Sequence, residues 1–315
     1  MNLKVLKSTN NLSREEWLEL RKSSIGGSDA ASILGFNPWK SAIDVWMEKT
    51  GRSKPIEDNE RMRIGRDLEE YVAKRFEEET GRKVRRKNAV LVHPEHEWMT
   101  ANVDRLIVGE DTGLECKVTN SYAASDWKDG CPLHYQFQCH HYMAVTGASG
   151  WWIAALVGNE KIATHFIERD EDVIQSLTAL EKDYWETYIT KDEMPPPDGS
   201  SAAQDAIKEL YPMSAPETFV ELPKDVACLL DRRYELGDVI EKMSKEVEEI
   251  EQRIQVMMGE NEAATAGGWK LTWKSRTQAR VDSKKLKAEQ PELYEKYTKE
   301  SSFRVFTVRP LLNGK

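Results

Sequence analysis

The stretch GLECKV, residues 113–118, sets a carboxylate and an ammonium two residues apart. It reads as a β-strand. Side chains on a strand alternate faces, so Glu115 and Lys117 point one way while Leu114, Cys116 and Val118 point the other. Asp104 lies upstream in TANVDRLIV, which reads as the preceding strand, and the turn GEDTG folds it back towards Glu115 and Lys117. An aspartate followed by Glu-x-Lys suits metal-dependent hydrolysis of a phosphodiester. Mg²⁺ is a hard ion that prefers oxygen, and Asp104, Glu115 and the main-chain carbonyl of Cys116 offer three such ligands. Lys117 then stands beside the metal, where it orients or deprotonates the attacking water and balances charge in the transition state. Taken alone the spacing is a weak signal, because acids and lysines are common and a surface ion pair accounts for most occurrences of it.

Two other sets of residues agree with it. RMRIGRDLEEYVAKRF has a helical pattern and puts Glu69 four residues after Gly65. A carboxylate there completes a metal site, with the glycine letting the helix approach the sheet closely. Its neighbours Asp67 and Glu70 make simple solvation the competing explanation. In HYQFQCHHY, Gln138 and Tyr142 are spaced i and i+4, with Tyr135 one turn earlier. A buried glutamine on an apolar helix face needs a hydrogen-bonding partner, and a DNA phosphate or the attacking water qualifies.

These groups need a frame. LSREEWLELRKSSIGGSDAASILGFNPWKSAIDVWMEKTG reads as three helices broken by a glycine turn and an Asn-Pro turn, with Ser13 and Glu16 as a capping box. Ser28 is expected to cap the second helix, which ends at Gly35. Residues 60–80 form a long helix closed by Gly81, and KVRRKNAVLVH, WMTANVDRLIV and GLECKV follow as three strands. Residues 132–147 read as a helix, GWWIAALVG and KIATHFIERD as a hairpin, and 170–190 as a further helix. The natural packing is an α/β domain over 1–194, a mixed sheet flanked by helices. Pro195-Pro196-Pro197 opens a linker over 195–222, and the region 223–315 differs in character. Val226, Leu229, Leu236, Ile240, Met243, Val247, Ile250, Ile254 and Met257 recur at alternating steps of three and four, Arg233 filling the gap. That heptad stripe fits a coiled coil or a long helix lying on the protein's own body. GGWKLTWKSRTQARVD and SSFRVFTVRP read as strands beyond it.

Composition bounds the function. With 54 acidic and 45 basic residues in 315, the net charge is −9, so any DNA contact must come from a local positive groove. The four cysteines contain no C-x-x-C pair, which argues against a disulfide framework or a zinc site. No apolar run approaches the roughly 20 residues that span a bilayer, and the N-terminus is too polar for a secretory signal. The expected location is the cytoplasm, with no membrane partner.

The order of LRKSSIGGSDAASILGFNPWKS, GRDLE, VD, ECK and QFQCHHY resembles the YqaJ-type viral recombinase family, grouped with phage λ-exonuclease-like enzymes of the PD-(D/E)XK superfamily. The resemblance covers 15 to about 190, and its first motif is more specific than the acid–Lys core. It implies a restriction-endonuclease-like core, a central mixed β-sheet flanked by helices, here followed by a long helix and a small β extension. It implies a 5′-to-3′ exonuclease on double-stranded DNA ends that releases 5′-mononucleotides and leaves 3′ overhangs. By the same resemblance Glu69, Asp104 and Glu115 are metal ligands for Mg²⁺, with Mn²⁺ as substitute and two ions expected. Lys117 is then the catalytic lysine and Gln138 the glutamine of a Q-x-x-x-Y motif. Arg21 and Ser28 match the pocket for the terminal 5′-phosphate. The residues support that pocket: Gly26-Gly27 permits close backbone approach, a helix start offers amides to an anion, and Arg21 offers a fork of donors. Asp29 would repel an anion and is expected to point elsewhere. Val103 stands where the superfamily has proline.

Further DNA contacts are Tyr142 and Trp39, the latter a wedge at the duplex end unless it belongs to the core. RKVRRK, 82–87, offers a partial track for the DNA backbone. The resemblance implies a ring-shaped homotrimer, and a phage-type single-strand annealing recombinase suits the C-terminal third as partner. Competing readings are an endonuclease, a single-strand nuclease, and a non-catalytic DNA-end-binding assembly protein.

Overall fold

Ser13 accepts a hydrogen bond from the Glu16 N–H at 3.1 Å while Glu16 accepts from the Ser13 N–H at 2.9 Å, so the expected capping box starts the first helix. A computed structural model of the chain describes residues 1, 3–54 and 58–310, which divide into two compact units, Met1–Pro212 and Met213–Lys315.

The first unit begins with β1 (Val5–Ser8), α1 (Arg14–Lys22), β2 (Ile25–Gly26), α2 (Gly27–Ile33), α3 (Ala42–Lys49) and α4 (Glu60–Thr80). It continues through β3 (Val84–Arg86), β4 (Ala89–Val92), β5 (Met99–Asn102), β6 (Arg105–Ile107), β7 (Thr112–Thr119) and α5 (Leu133–Thr146). It ends with β8 (Gly150–Val157), β9 (Lys161–Glu168), α6 (Glu171–Tyr184) and α7 (Ser201–Leu210). A five-stranded sheet runs β3-β6-β7-β8-β9 and a four-stranded one β1-β4-β5-β2. β7 and β8 are parallel, so α5 is the crossover between them. KVRRKNAVLVH and WMTANVDRLIV each split into two strands, one per sheet, and Asp104 falls on the connection between β5 and β6 rather than within a strand.

The core has three parts. Val72, Ala73 and Phe76 of α4 cover one face of the five-stranded sheet, against Ile107, Leu114 and Ala154. α5 fills the space between the two sheets, where Cys139, Tyr142, Met143 and Val145 meet Leu91, Met99, Ala101, Trp151 and Ile153. Ile25, Ile43, Val45 and Trp46 form a third cluster with Tyr184, Ala203 and Ala206. The last two belong to α7, capped by Ser200 inside the expected linker. The first unit therefore runs to Pro212 rather than to 194.

Gly65 does not mediate a close approach: a Cβ there would meet nothing within 4 Å. In the second unit α8 (Val226–Met258) is the predicted heptad helix, followed by the hairpin β10 (Ala263–Ala266) and β11 (Trp269–Thr272), then α9 (Ser283–Glu289) and α10 (Pro291–Tyr297). Residues 301–310 carry no strand, contrary to expectation. Among the described residues, no helix is long and apolar enough to cross a membrane.

Candidate active site

The alternation along β7 separates two environments. Leu114, Cys116 and Val118 pack in the cluster beneath α4, and Glu115 and Lys117 meet α5 on the other face. The Lys117 ammonium donates to Glu115 Oε1 at 2.6 Å and to Gln138 Oε1 at 3.0 Å, and it lies 4.8 Å from the Tyr135 ring centroid. Gln138 Nε2 donates to the same Glu115 oxygen at 2.7 Å and to the Tyr142 hydroxyl at 2.7 Å. The buried glutamine thus finds its partners inside the protein. Burial opposes the charge on Lys117, but Glu115 outweighs it and holds the ammonium above its ordinary range.

Asp104 reaches this group through the backbone. Its Oδ2 accepts from the Cys116 N–H at 2.8 Å. The N–H and C=O of one strand residue face the same edge, so the Cys116 carbonyl points to Asp104's side of β7, where pairing with β6 has ended at Leu114. Burial, then the charges of Glu115 and Glu69, push the Asp104 carboxyl well above the carboxylate range. Glu115 Oε2 is buried without a hydrogen-bond partner. An orphaned carboxylate oxygen beside a second acid that resists ionisation is a donor set suited to a hard divalent cation.

Glu69 lies near Asp104, whose carboxyl its charge helps to raise, but it is also engaged by a cation. Its carboxylate takes Arg105 Nη1 at 2.5 Å, and Glu70 takes Nη2 at 2.9 Å. Among the described residues no three acidic, histidine or cysteine side chains converge as a ready ligand set. Asp104 and Glu115 are brought together with Lys117, while Glu69 is held by a guanidinium.

The residues expected to bind a 5′-phosphate lie at the other end of the same cavity. Ser28 is the second residue of α2 and not its cap. Gly26 is the cap, and its N–H is taken by Asp29 at 3.2 Å. Gly27 lets α2 approach α5, since a Cβ there would stand 2.6 Å from the Tyr142 ring. Arg21 Nη2 lies 3.4 Å from Ser28 Oγ, and the guanidinium covers the Trp17 ring at 5.0 Å. Asp29 does not point away: it is buried beside Arg21 and also binds Lys40 and Lys49. One cavity of about 260 Å³ is lined by Arg21, Ser28 and Lys49 at one side and by Glu115, Lys117, Gln138 and Tyr142 at the other.

Trp39 is not core. It is 68% exposed and packs T-shaped against the His134 ring, 5.2 Å between centroids. The basic run is partly consumed by acids, Arg82 by Glu110, Lys83 by Glu77 and Arg86 by Glu70. Two buried polar neighbours of the site are not among the predicted site residues. Lys49 shares a face of α3 with apolar Val45 and Trp46, an alignment that marks a lysine pointing inward. His141 binds Glu181 at 2.8 Å and the Thr100 carbonyl at 2.8 Å. Burial opposes its charge, but Glu181 and the Thr100 carbonyl raise its pKa, and the ring braces α5 against α6 and β5.

Comparison with known proteins adds a family. A model of the YqaJ-like viral recombinase domain matches residues 16–149. The chain is 37% identical over 309 residues to a Bacillus subtilis (strain 168) protein named uncharacterized protein YqaJ, covering 97% of each. Among solved structures, an alkaline exonuclease (LHK-Exo) from Laribacter hongkongensis aligns at 21% identity and TM-score 0.48, over 57% of this chain and 94% of that one. A phage-related exonuclease from Haemophilus somnus 129PT aligns at 15% identity and TM-score 0.41, over 54% and 96%.

Proposed function

Because this chain belongs to the YqaJ-like viral recombinase family, we propose that it is a divalent-metal-dependent exonuclease acting on the 5′-ended strand of duplex DNA. The observation that carries this reading is the single cavity that joins Arg21 and Ser28 to Glu115, Lys117 and Gln138. A phosphate-binding fork and an acid–Lys cluster sharing one space suit an enzyme that holds a terminal 5′-phosphate and cuts the bond beyond it. The released product is then a 5′-mononucleotide, the new end carries a 5′-phosphate, and the other strand is left as a 3′ overhang.

Asp104, Glu115 through its unpartnered Oε2, and the Cys116 carbonyl are the groups that would hold Mg²⁺ or Mn²⁺. Glu69, whose Oε1 is held by Arg105, would join them for a second ion. A cation bound there would supply positive charge to offset the negative charge of the scissile phosphate. Lys117 donates to the attacking water and to the phosphate. Its raised pKa favours this orienting role over that of a base. Gln138 fixes both Glu115 and Lys117, with Tyr142 fixing Gln138 in turn. Arg21 and Ser28 bind the terminal phosphate, so each cut regenerates the group that the pocket accepts. The same reading places the protein in the cytoplasm as a ring-shaped homotrimer, with a single-strand annealing recombinase as partner.

The test uses linear duplex DNA labelled at either end, with 5′-phosphate or 5′-hydroxyl, beside a closed circle, with and without Mg²⁺. Metal-dependent loss from 5′-phosphate ends with the circle spared is the expected result. Cutting of the circle would replace the exonuclease with an endonuclease, and DNA bound but never cut would leave a binding protein.

A further inference from the structure

A buried carboxylate beside a phosphate pocket looks self-defeating, and the geometry around Asp29 resolves it. Its two oxygens accept three hydrogen bonds and stand against a fourth, longer ion contact. Oδ1 faces Lys40 Nζ at 2.9 Å and Arg21 Nη2 at 3.6 Å, while Oδ2 faces Lys49 Nζ at 2.6 Å and the Gly26 N–H at 3.2 Å. Lys40 also binds Glu48 at 2.7 Å, so three cations stand against two anions and the cluster keeps a positive surplus beside the cavity.

Lys49 does a second thing. Its side chain is 1% exposed, and its ammonium donates to the main-chain carbonyl of Arg21 at 2.7 Å as well as to Asp29. Arg21 is therefore gripped at both ends: its backbone by Lys49 at the C-terminal turn of α1, and its guanidinium by Asp29 from the first turn of α2. The contacts to Asp29 and Ser28 both use Nη2. The other donors of the fork are not spent on either residue.

We propose that Asp29 and Lys49 form a buried clamp that sets the aim of Arg21, and so the recognition of a terminal 5′-phosphate. This rests on the phosphate-pocket reading above. Asp29 and Lys49 act as positioning residues: the phosphate meets Arg21 and Ser28, and the clamp fixes where those donors stand. A phosphate arriving in the cavity also meets the unbalanced positive charge that the clamp maintains.

The experiment compares cutting rates on 5′-phosphate and 5′-hydroxyl duplex ends for the full-length enzyme, Asp29→Asn, Lys49→Met, the double variant, and Arg21→Lys as reference. The readout is the ratio of the two rates, paired with the rise in melting midpoint caused by inorganic phosphate. Each clamp variant should lower the ratio by about tenfold or more, the effect of one misplaced charged hydrogen bond, as Arg21→Lys does. The phosphate-induced rise should vanish with it. The double variant removes the buried pair together, so it should regain the melting midpoint lost in the single variants without regaining the ratio. Recovery of the ratio along with the midpoint would reduce Asp29 and Lys49 to fold stability and overturn the clamp. So would an unchanged ratio in all three clamp variants while Arg21→Lys lowers it. A wild-type enzyme indifferent to the 5′-phosphate would instead overturn the parent reading, and the clamp with it.

Discussion

Asp29 and Asp104 are the same residue type at opposite ends of one site, and their surroundings drive them in opposite directions. Burial would raise the Asp29 carboxyl, but Lys40, Lys49 and Arg21 outweigh it and hold it well below the carboxylate range. Burial raises Asp104, and the charges of Glu115 and Glu69 raise it further, against the Cys116 N–H and the weaker pull of Lys117. A saturated acid cannot accept a metal without surrendering its cations, so Asp29 organises its neighbours. An acid beside two other acids, with the nearby Lys117 hydrogen-bonded to Glu115, is short of counter-charge, so Asp104 is suited to receive more. The inventory of partners, and not burial itself, separates the two roles.

The largest expected effect tests which end does the chemistry. Lys117→Ala should lower Mg²⁺-dependent cutting by at least about 100-fold, the usual loss for one preorganised donor in a transition state. Duplex binding through the Arg21 end should survive it. An electrophoretic shift beside a single-turnover assay checks both at once. Cutting at the wild-type rate would remove Lys117 from the reaction.

A gentler change makes the two aspartates compete directly. Asp29→Asn breaks a buried ion pair and should destabilise the fold by about 3–5 kcal/mol. Asp104→Asn removes a charge that its surroundings resist, so in chelator near neutral pH it should raise the melting midpoint while impairing cutting. The pH dependence has opposite signs. A depressed carboxyl such as Asp29 contributes stability above its unfolded pKa, lost as pH falls through its folded value. A raised carboxyl such as Asp104 contributes stability below its unfolded pKa, lost as pH rises through its folded value. The advantage of Asp104→Asn over wild type should therefore shrink as the pH is lowered. Calorimetric scans across pH would show it, and equal destabilisation by both substitutions would erase the contrast between the two ends.

The sequence was legible where chemistry depends on local spacing and obscure where it depends on distant partners. Glu115 and Lys117 share a face because strand periodicity demands it, and Gln138 and Tyr142 align because helix periodicity does. Glu69 lies close enough to Asp104 for its charge to be felt there, but its partner Arg105, 36 residues away on another element, was not legible in local spacing. Lys49 passed unnoticed because a lysine in an amphipathic helix ordinarily faces solvent. Asp29 was expected to point away from the pocket because of its own charge, while the cations that neutralise it come from α1, α3 and the connection between α2 and α3. WMTANVDRLIV read as one strand because alternation persists through the connection where the chain leaves one sheet for the other. The proline triplet suggested a linker, yet SAAQDAIKEL beyond it has an apolar stripe that α7 lays on the third core cluster.

The smallest expected effect concerns Trp39, which stands outside the ion network of either aspartate. At 68% exposure its removal should change fold stability by no more than about 0.5 kcal/mol. If its ring stacks on a base at the duplex end, Trp39→Ala should weaken end binding about fivefold, the low end of a base–aromatic stack. Stacking does not read the terminal phosphate, so affinity should fall equally for 5′-phosphate and 5′-hydroxyl duplexes. This separates it from the clamp variants, which should change the ratio. Titration of fluorescent duplexes with each end chemistry checks it. A loss confined to 5′-phosphate ends would tie Trp39 to the Asp29 end through its neighbour Lys40, and unchanged affinity for both would leave the ring with no part in holding DNA.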